Sequence, residues 1–275
     1  MRFWKYHGLG NDFVLVENFD GKVSKDPAFV RATCDRRFGI GADGVLYIEK
    51  DPRADARMVV MNSDGSEAEM CGNGIRCVAK HLYDSGTVKS KKMVIATLAG
   101  LKKVECDLKD GRVSTVKVDM GAPRFECKDI PMACDGRYID CAIDVEGLNV
   151  RGTAVSMGNP HFVIFQDLSD EVVATLGPKI EKHPMFPRRT NVEFVKSENG
   201  ILKVKVYERG AAWTMACGTG ACAVVTAAAV LGKAPFDKEV EVALPGGSLW
   251  ITVRSDLGGV LMRGPATLVY HGETI

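Results

Sequence analysis

Two cysteines stand in nearly the same setting. Met70-Cys71-Gly72-Asn73-Gly74-Ile75-Arg76-Cys77 and Ala216-Cys217-Gly218-Thr219-Gly220-Ala221-Cys222 both contain Cys-Gly-polar-Gly. Each runs into an apolar segment with helical spacing. The first continues through Val78, Ala79, Leu82 and Tyr83, the second through Ala223, Val224, Val225, Ala227, Ala228, Val230 and Leu231. A cysteine at the mouth of a helix is expected to ionise more readily, because the free N–H groups and the helix dipole favour the thiolate. Small residues just after it leave those N–H groups open to a carboxylate. Thiols so placed can move protons.

The likeness extends upstream. The cysteines are 146 residues apart, with Asn62 nine residues before Cys71 and Glu208 nine before Cys217. Gly10-Asn11-Asp12-Phe13-Val14 resembles Gly158-Asn159-Pro160-His161-Phe162-Val163, with Asn159 lying 148 residues after Asn11. Three matched points at nearly one offset argue for duplicated halves. Each half brings a polar strand end and a cysteine to a helix start.

The elements that must position these residues can be read from the spacing. Phe3 to Val16 reads as strand, loop, strand around Gly8-Leu9-Gly10-Asn11. Asp26 caps a helix reaching Arg36, with Pro27 first. Arg37 to Gly44 is a glycine-rich loop without a dinucleotide or phosphate-loop spacing. Val45–Ile48 and Ala56–Met61 read as strands, and Asn62 to Ser66 as a turn. The first cysteine helix ends near Ser85-Gly86. Strands follow at 93–97, 102–108 and 113–120, and Gly121-Ala122-Pro123 breaks the pattern. The expected domains are therefore 1–120, carrying Cys71, and 121–263, carrying Cys217.

In the second half a strand begins near Gly158. A helical stretch at 168–181 is interrupted at Gly177-Pro178, and a loop from Phe186 to Asn191 leads into a strand at 192–195. Ile201 to Tyr207 alternates and delivers Glu208-Arg209-Gly210, and strands at 239–243, 248–253 and 260–263 finish the pattern. Many short strands and one long buried helix per half predict an α+β fold: two similar domains, each a curled, mostly antiparallel sheet around a central helix.

The composition narrows the function. Lys plus Arg is 36 against Asp plus Glu 35, so no positive excess points to nucleic acid or an acidic membrane. The apolar run near Ala221–Leu231 is too short for a bilayer and suits a helix buried on all sides. The first residues contain no apolar core of a secretory signal. Nine cysteines, an odd number, argue against a disulfide framework and for a reducing compartment. Cys34, Cys106, Cys127, Cys134 and Cys141 share no pattern and read as residues without a role. Cys71 with Cys77, and Cys217 with Cys222, have spacings that do not share a helix face, which disfavours zinc.

If the halves are related by a pseudo-two-fold, Cys71 and Cys217 flank one substrate atom. A thiolate on one face and a thiol on the other invert a stereocentre. Glu208 and Arg209, at a strand end before the second cysteine, suit an ammonium and a carboxylate. His161, or Glu208, can tune the thiols.

Gly8-Leu9-Gly10-Asn11-Asp12-Phe13, Met61 to Ser66, Met70 to Cys77, Met157 to His161, Asn191-Val192-Glu193, Glu208-Arg209-Gly210 and Ala216 to Cys222 together resemble the motifs of the diaminopimelate epimerases, in order and over nearly the whole chain. The resemblance implies an enzyme that interconverts LL- and meso-diaminopimelate in lysine biosynthesis, without pyridoxal phosphate or metal. It matches Cys71 and Cys217 to the family's catalytic bases. Asn11, Asn62, Asn159, Asn191, Glu208 and Arg209 match its substrate contacts, and Gly72-Asn73 and Gly218-Thr219 its carboxylate-binding helix starts. His161 and Glu208 match positions that tune the thiols. It also implies a tail, 264–275, returning to the first domain, and a cytoplasmic homodimer. Cys-Gly-x-Gly occurs in proline and hydroxyproline racemase-type enzymes too, which are the alternative. A structural zinc or thiol-redox protein is a third reading. Two positions depart from the family: Gly44 stands where many members have glutamine, and Ala212-Trp213 where they usually have Gly-Glu.

Overall fold

Strict alternation makes the clearest strand: along Ile201–Glu208, Leu202, Val204 and Val206 point into the core, while Lys203 and Lys205 face solvent. The computed structural model describes residues 1–275. The chain divides into two compact units, Met1–Asp119 with Arg263–Ile275, and Met120–Met262.

In the first unit, β1 (Arg2–Gly8) and β2 (Asn11–Glu17) form a hairpin. Its two-residue turn places Leu9 at φ 57° and Gly10 at φ 85°, which matches the twist of the flanking strands. Helix α1 (Pro27–Cys34) crosses to β3 (Gly44–Glu49), parallel to β2. β4 (Ala56–Asn62) returns antiparallel and pairs with the two-residue β5 (Glu67–Ala68). After α2 (Gly72–Asp84) come β6 (Lys92–Thr97), parallel to β4, and the antiparallel β7 (Gly100–Lys109) and β8 (Arg112–Gly121).

The second unit adds β9 (Cys141–Val145) and then repeats the order. β10 (Leu148–Ser156) and β11 (Pro160–Ile164) are antiparallel, and α3 (Asp170–Glu181) crosses to β12 (Asn191–Glu198), parallel to β11. β13 (Ile201–Glu208) returns antiparallel and pairs with the two-residue β14 (Ala212–Trp213). α4 (Gly218–Val230) precedes β15 (Val240–Leu244), parallel to β13, then β16 (Gly247–Val253) and β17 (Val260–Pro265). Asn62 and Glu208 thus end equivalent strands, and Cys71 and Cys217 begin equivalent helices. In the first unit β18 (Thr267–Glu273) pairs antiparallel with β1.

The central helices are the cores. Every α4 residue from Gly220 to Ala229 is buried, and the small side chains let β10, β11, β12, β15 and β16 close around it. Each buried Val contributes about 1.5–3 kcal/mol. Helix α2 instead buries Ile75, Val78 and Leu82 together with polar Asn73, Arg76 and His81. Neither helix is long enough to cross a membrane; no helix of the chain is.

Three local expectations are corrected. α1 stops at Cys34 rather than Arg36, because Asp35 turns extended (φ −60°, ψ 123°) and its carboxylate accepts from the N–H groups of Arg37 and Phe38 at 2.7 Å each. α3 runs unbroken through Gly177-Pro178. Proline costs a helix one N–H bond, but here Leu176 and Ile180 on either side are buried, and Gly177 lies directly under Tyr207 and Trp213, where a Cβ would sit 3.0 Å from both rings. Cys127 and Cys134 are a disulfide, not residues without a role: a 3₁₀ turn at Cys127–Asp129 folds the chain back and brings their Cα atoms to 5.8 Å. One short-range bridge is not a framework, but it does depart from a wholly reduced set of thiols.

Candidate active site

Each cysteine is the N-cap of its helix. Cys71 (φ −134°, ψ 116°) accepts from Gly74 N–H through its Sγ at 3.3 Å, and Cys217 (φ −124°, ψ 110°) accepts from Gly220 N–H at 3.3 Å. Sulfur does what a serine or aspartate oxygen does at other helix starts. Glycine at the third helical position is closely packed in both. A Cβ on Gly74 would lie 2.9 Å from Leu46, and one on Gly220 would lie 2.9 Å from Glu193 Oε1 and 3.2 Å from Cys217 Sγ.

In the first unit the hairpin turn carries Asn11 to the cysteine. Asn11 Oδ1 accepts from Asn73 Nδ2 at 3.1 Å and lies 3.9 Å from Cys71 Sγ. Its Nδ2 donates to Asp43 at 2.9 Å. Asp43 is tied by Arg36 (2.8 Å) to Asp12, which Arg36 also bridges at 2.6 Å and Lys5 at 2.6 Å. Burial alone would raise the Asp12 carboxyl, but hydrogen bonds and charge from Arg36 and Lys5 outweigh it and hold the group well below the usual carboxylate range. Asn73 Oδ1 accepts from Arg76 at 3.1 Å; the fully buried Arg76 also donates to Gly72 O and Pro265 O, both at 3.0 Å. Asn62 is exposed at the end of its strand and donates to Ser66 Oγ at 3.0 Å. Gly44 lies opposite it, and a Cβ there would meet the Met61 carbonyl at 2.5 Å. With no side chain at Gly44, the contact that a glutamine makes in many family members is lost or made by backbone.

In the second unit, Asn159 Nδ2 donates to Thr219 Oγ1 at 3.3 Å, and Thr219 Oγ1 lies 3.5 Å from Cys217 Sγ. His161 Nε2 meets Asn159 Oδ1 at 3.0 Å, and its Nδ1 meets Glu193 Oε1 at 2.7 Å. Asn191 is buried between Pro160 O (2.8 Å) and Arg209 N–H (2.9 Å), which fixes the turn after Glu208. The Arg209 side chain is exposed, while Glu208 accepts from Thr214 Oγ1 at 2.6 Å. Burial pushes the Glu208 carboxyl up, against hydrogen bonds from Thr214 and Cys217 that lower it. Glu181, 2% exposed, receives Gly210 N–H at 3.2 Å and anchors the same turn.

Trp213 stacks edge-on against Tyr207 at 5.2 Å, which explains a large apolar side chain there. Ala212 sits at φ 59°, where glycine is unstrained and alanine costs about 1–2 kcal/mol.

The expectation of a readily ionised thiol fails at Cys217. Burial raises its pKa well above the ordinary value, and the Glu208 and Glu193 carboxylates raise it further. The Thr219 hydroxyl and the Gly220 N–H act the other way and do not prevail. At 5% exposure desolvation dominates the helix start. The thiol form of Cys217 is therefore favoured.

The sequence motifs contain Arg76, Asp43 and Glu193 but gave them no role, and nothing singled out Glu181. A charged residue inside an apolar helical pattern was the available signal for Arg76. No group of three His, Cys, Asp or Glu side chains converges as a metal site. A cavity of about 490 Å³ in the first unit, lined by Trp4, Tyr6, His81 and Arg112, contains none of these site residues.

The family model described as diaminopimelate epimerase matches residues 3–126 and 153–269. The diaminopimelate epimerase of Moorella thermoacetica is 49% identical over 277 residues, covering 99% of each chain. That of Pelotomaculum thermopropionicum is 50% identical over 278 residues, covering 99% of this chain and 98% of its own. Among solved structures, a probable proline racemase from Agrobacterium radiobacter aligns with TM-score 0.74 at 16% identity, over 100% of this chain and 92% of that one. A Bacillus anthracis phenazine biosynthesis protein of the PhzF family aligns with TM-score 0.74 at 16% identity, over 100% and 99%. At such identities these structures share the fold.

Proposed function

Because the chain belongs to the diaminopimelate epimerase family, we propose that Cys71 and Cys217 are the two proton-transfer groups of an epimerase that interconverts LL- and meso-diaminopimelate in lysine biosynthesis. The observation that carries this reading is the duplicated helix start, with a sulfur cap and a glycine three residues on, in both units. One thiolate takes the α-proton and becomes a thiol, while the other thiol delivers its proton to the opposite face and becomes a thiolate. The reverse reaction exchanges their parts. Which of the two acts as base is set by which isomer is bound.

The α-proton is acidic enough only if the carbanion is stabilised. The N–H groups at Gly72-Asn73 and Gly218-Thr219 are where a carboxylate is held as charge develops. Asn11, Asn62, Asn159 and Asn191 orient the substrate, and Glu208 with Arg209 reads the distal ammonium and carboxylate. Glu208 and His161 also set the protonation of the thiols. None of these steps uses a cofactor or metal. The enzyme is read as a cytoplasmic homodimer, which gel filtration at micromolar concentration would test.

Purified protein given LL-diaminopimelate is expected to form meso-diaminopimelate to an equilibrium mixture and to leave L-proline unracemised. Proline racemisation without diaminopimelate turnover would assign the chain to the alternative chemistry.

A further inference from the structure

We propose that Glu193 is a positioning residue of the second half-site: its carboxylate fixes His161 and, through Asn159 and Thr219, holds Cys217 in place for proton transfer. This rests on reading Cys217 as a proton-transfer group. The bonds form one line, from Glu193 Oε1 to His161 Nδ1 (2.7 Å), His161 Nε2 to Asn159 Oδ1 (3.0 Å), Asn159 Nδ2 to Thr219 Oγ1 (3.3 Å), and Thr219 Oγ1 to Cys217 Sγ (3.5 Å). Both ring nitrogens meet side-chain oxygens, so the ring is held from two sides.

Two observations separate this from ordinary core packing. Glu193 is 0% exposed, and its second oxygen, Oε2, has no hydrogen-bond partner. A buried acceptor left unpaired is costly, and a fold selected for stability alone would replace it. Moreover, Glu193 Oε1 lies against the start of the cysteine helix, where only glycine at position 220 leaves room for it. The parallel pairing of β11 and β12 sets Glu193 opposite Val163, two residues beyond His161 and two beyond Asn191. One strand pair therefore delivers the carboxylate, the ring and both asparagine positions to one edge.

The test uses full-length Glu193→Gln and Glu193→Asp. The groups facing Cys217 are Glu208 on β13, Glu193 on β12, His161 acting through Glu208, and Thr219 and Gly220 on its own helix. Glu193→Gln is expected to lower kcat for diaminopimelate about 10–100-fold with KM changed less than about twofold. Alkylation of Cys217 by iodoacetamide, followed by peptide mass mapping, should move to lower pH in the same variant. Glu193→Asp, which keeps the charge but withdraws it by one methylene, should fall between wild type and Glu193→Gln in both readouts.

A kcat within about twofold of wild type, or a fall in kcat with the Cys217 alkylation profile unmoved, would overturn the proposal. If Glu193→Gln fails to fold, an Asp variant unchanged in both readouts overturns it equally. The alkylation profile requires no turnover, so it reports on Glu193 separately from the identity of the substrate.

Discussion

Cys217→Ala is expected to lower epimerisation at least about 10³-fold in both directions, with the circular dichroism spectrum unchanged. General acid–base groups contribute about 10²–10⁴-fold each, and a two-base scheme has no second route to the face that Cys217 serves. The fold should tolerate the change. Cys217 caps α4 through one N–H contact at 3.3 Å, and loss of an N-cap costs about 0.5–2 kcal/mol, against a helix whose buried length carries most of its stability. Cys71→Ala should behave alike, since its capping geometry is the same. Either variant racemising near the wild-type rate would remove the two-base account.

Arg76→Met is expected to destabilise the protein by about 3 kcal/mol, because it removes the guanidinium hydrogen bonds to the Gly72 and Pro265 carbonyls and to the buried Asn73 amide. For a chain of this size that is a fall of roughly 10 °C in Tm by thermal scan. The methionine keeps the volume of the stem, so the loss is polar rather than a cavity. Arg76 also ties the 263–275 segment to the cysteine helix, and the segment should become accessible to carboxypeptidase in the variant. A Tm within about 2 °C of wild type would show that the guanidinium is not what joins them. Gly8 is part of the same arrangement, since a Cβ there would stand 2.9 Å from the guanidinium.

What could be read from the sequence was what adjacent residues determine. Capped helix starts, the Leu9-Gly10 turn, the alternation before Glu208 and the buried α4 are local patterns, and each took the form its pattern implies. The two-residue β5 and β14 are too short for any period, and β18, with Leu268, Val269 and Tyr270 exposed, shows none. The breaker at Pro178 was outweighed by packing that sequence does not display. The partnerships of Arg76 with Pro265, Asp43 with Asn11, and Glu193 with His161 span 189, 32 and 32 residues, and only the closed fold brings them together. The direction of the Cys217 pKa was missed for a related reason: the helix dipole is a local property, whereas burial and two carboxylates are tertiary ones.

The most direct test of the two-thiol account is epimerisation in heavy water at low conversion, with the α-carbon of each diaminopimelate isomer analysed separately. A different group removes the proton from each face, so the account predicts one deuterium at the α-carbon of essentially all product formed, and none in the unconverted substrate. Deuterium in recovered substrate at the earliest times, or protium carried over into product, would mean that a single base serves both faces, and would contradict it.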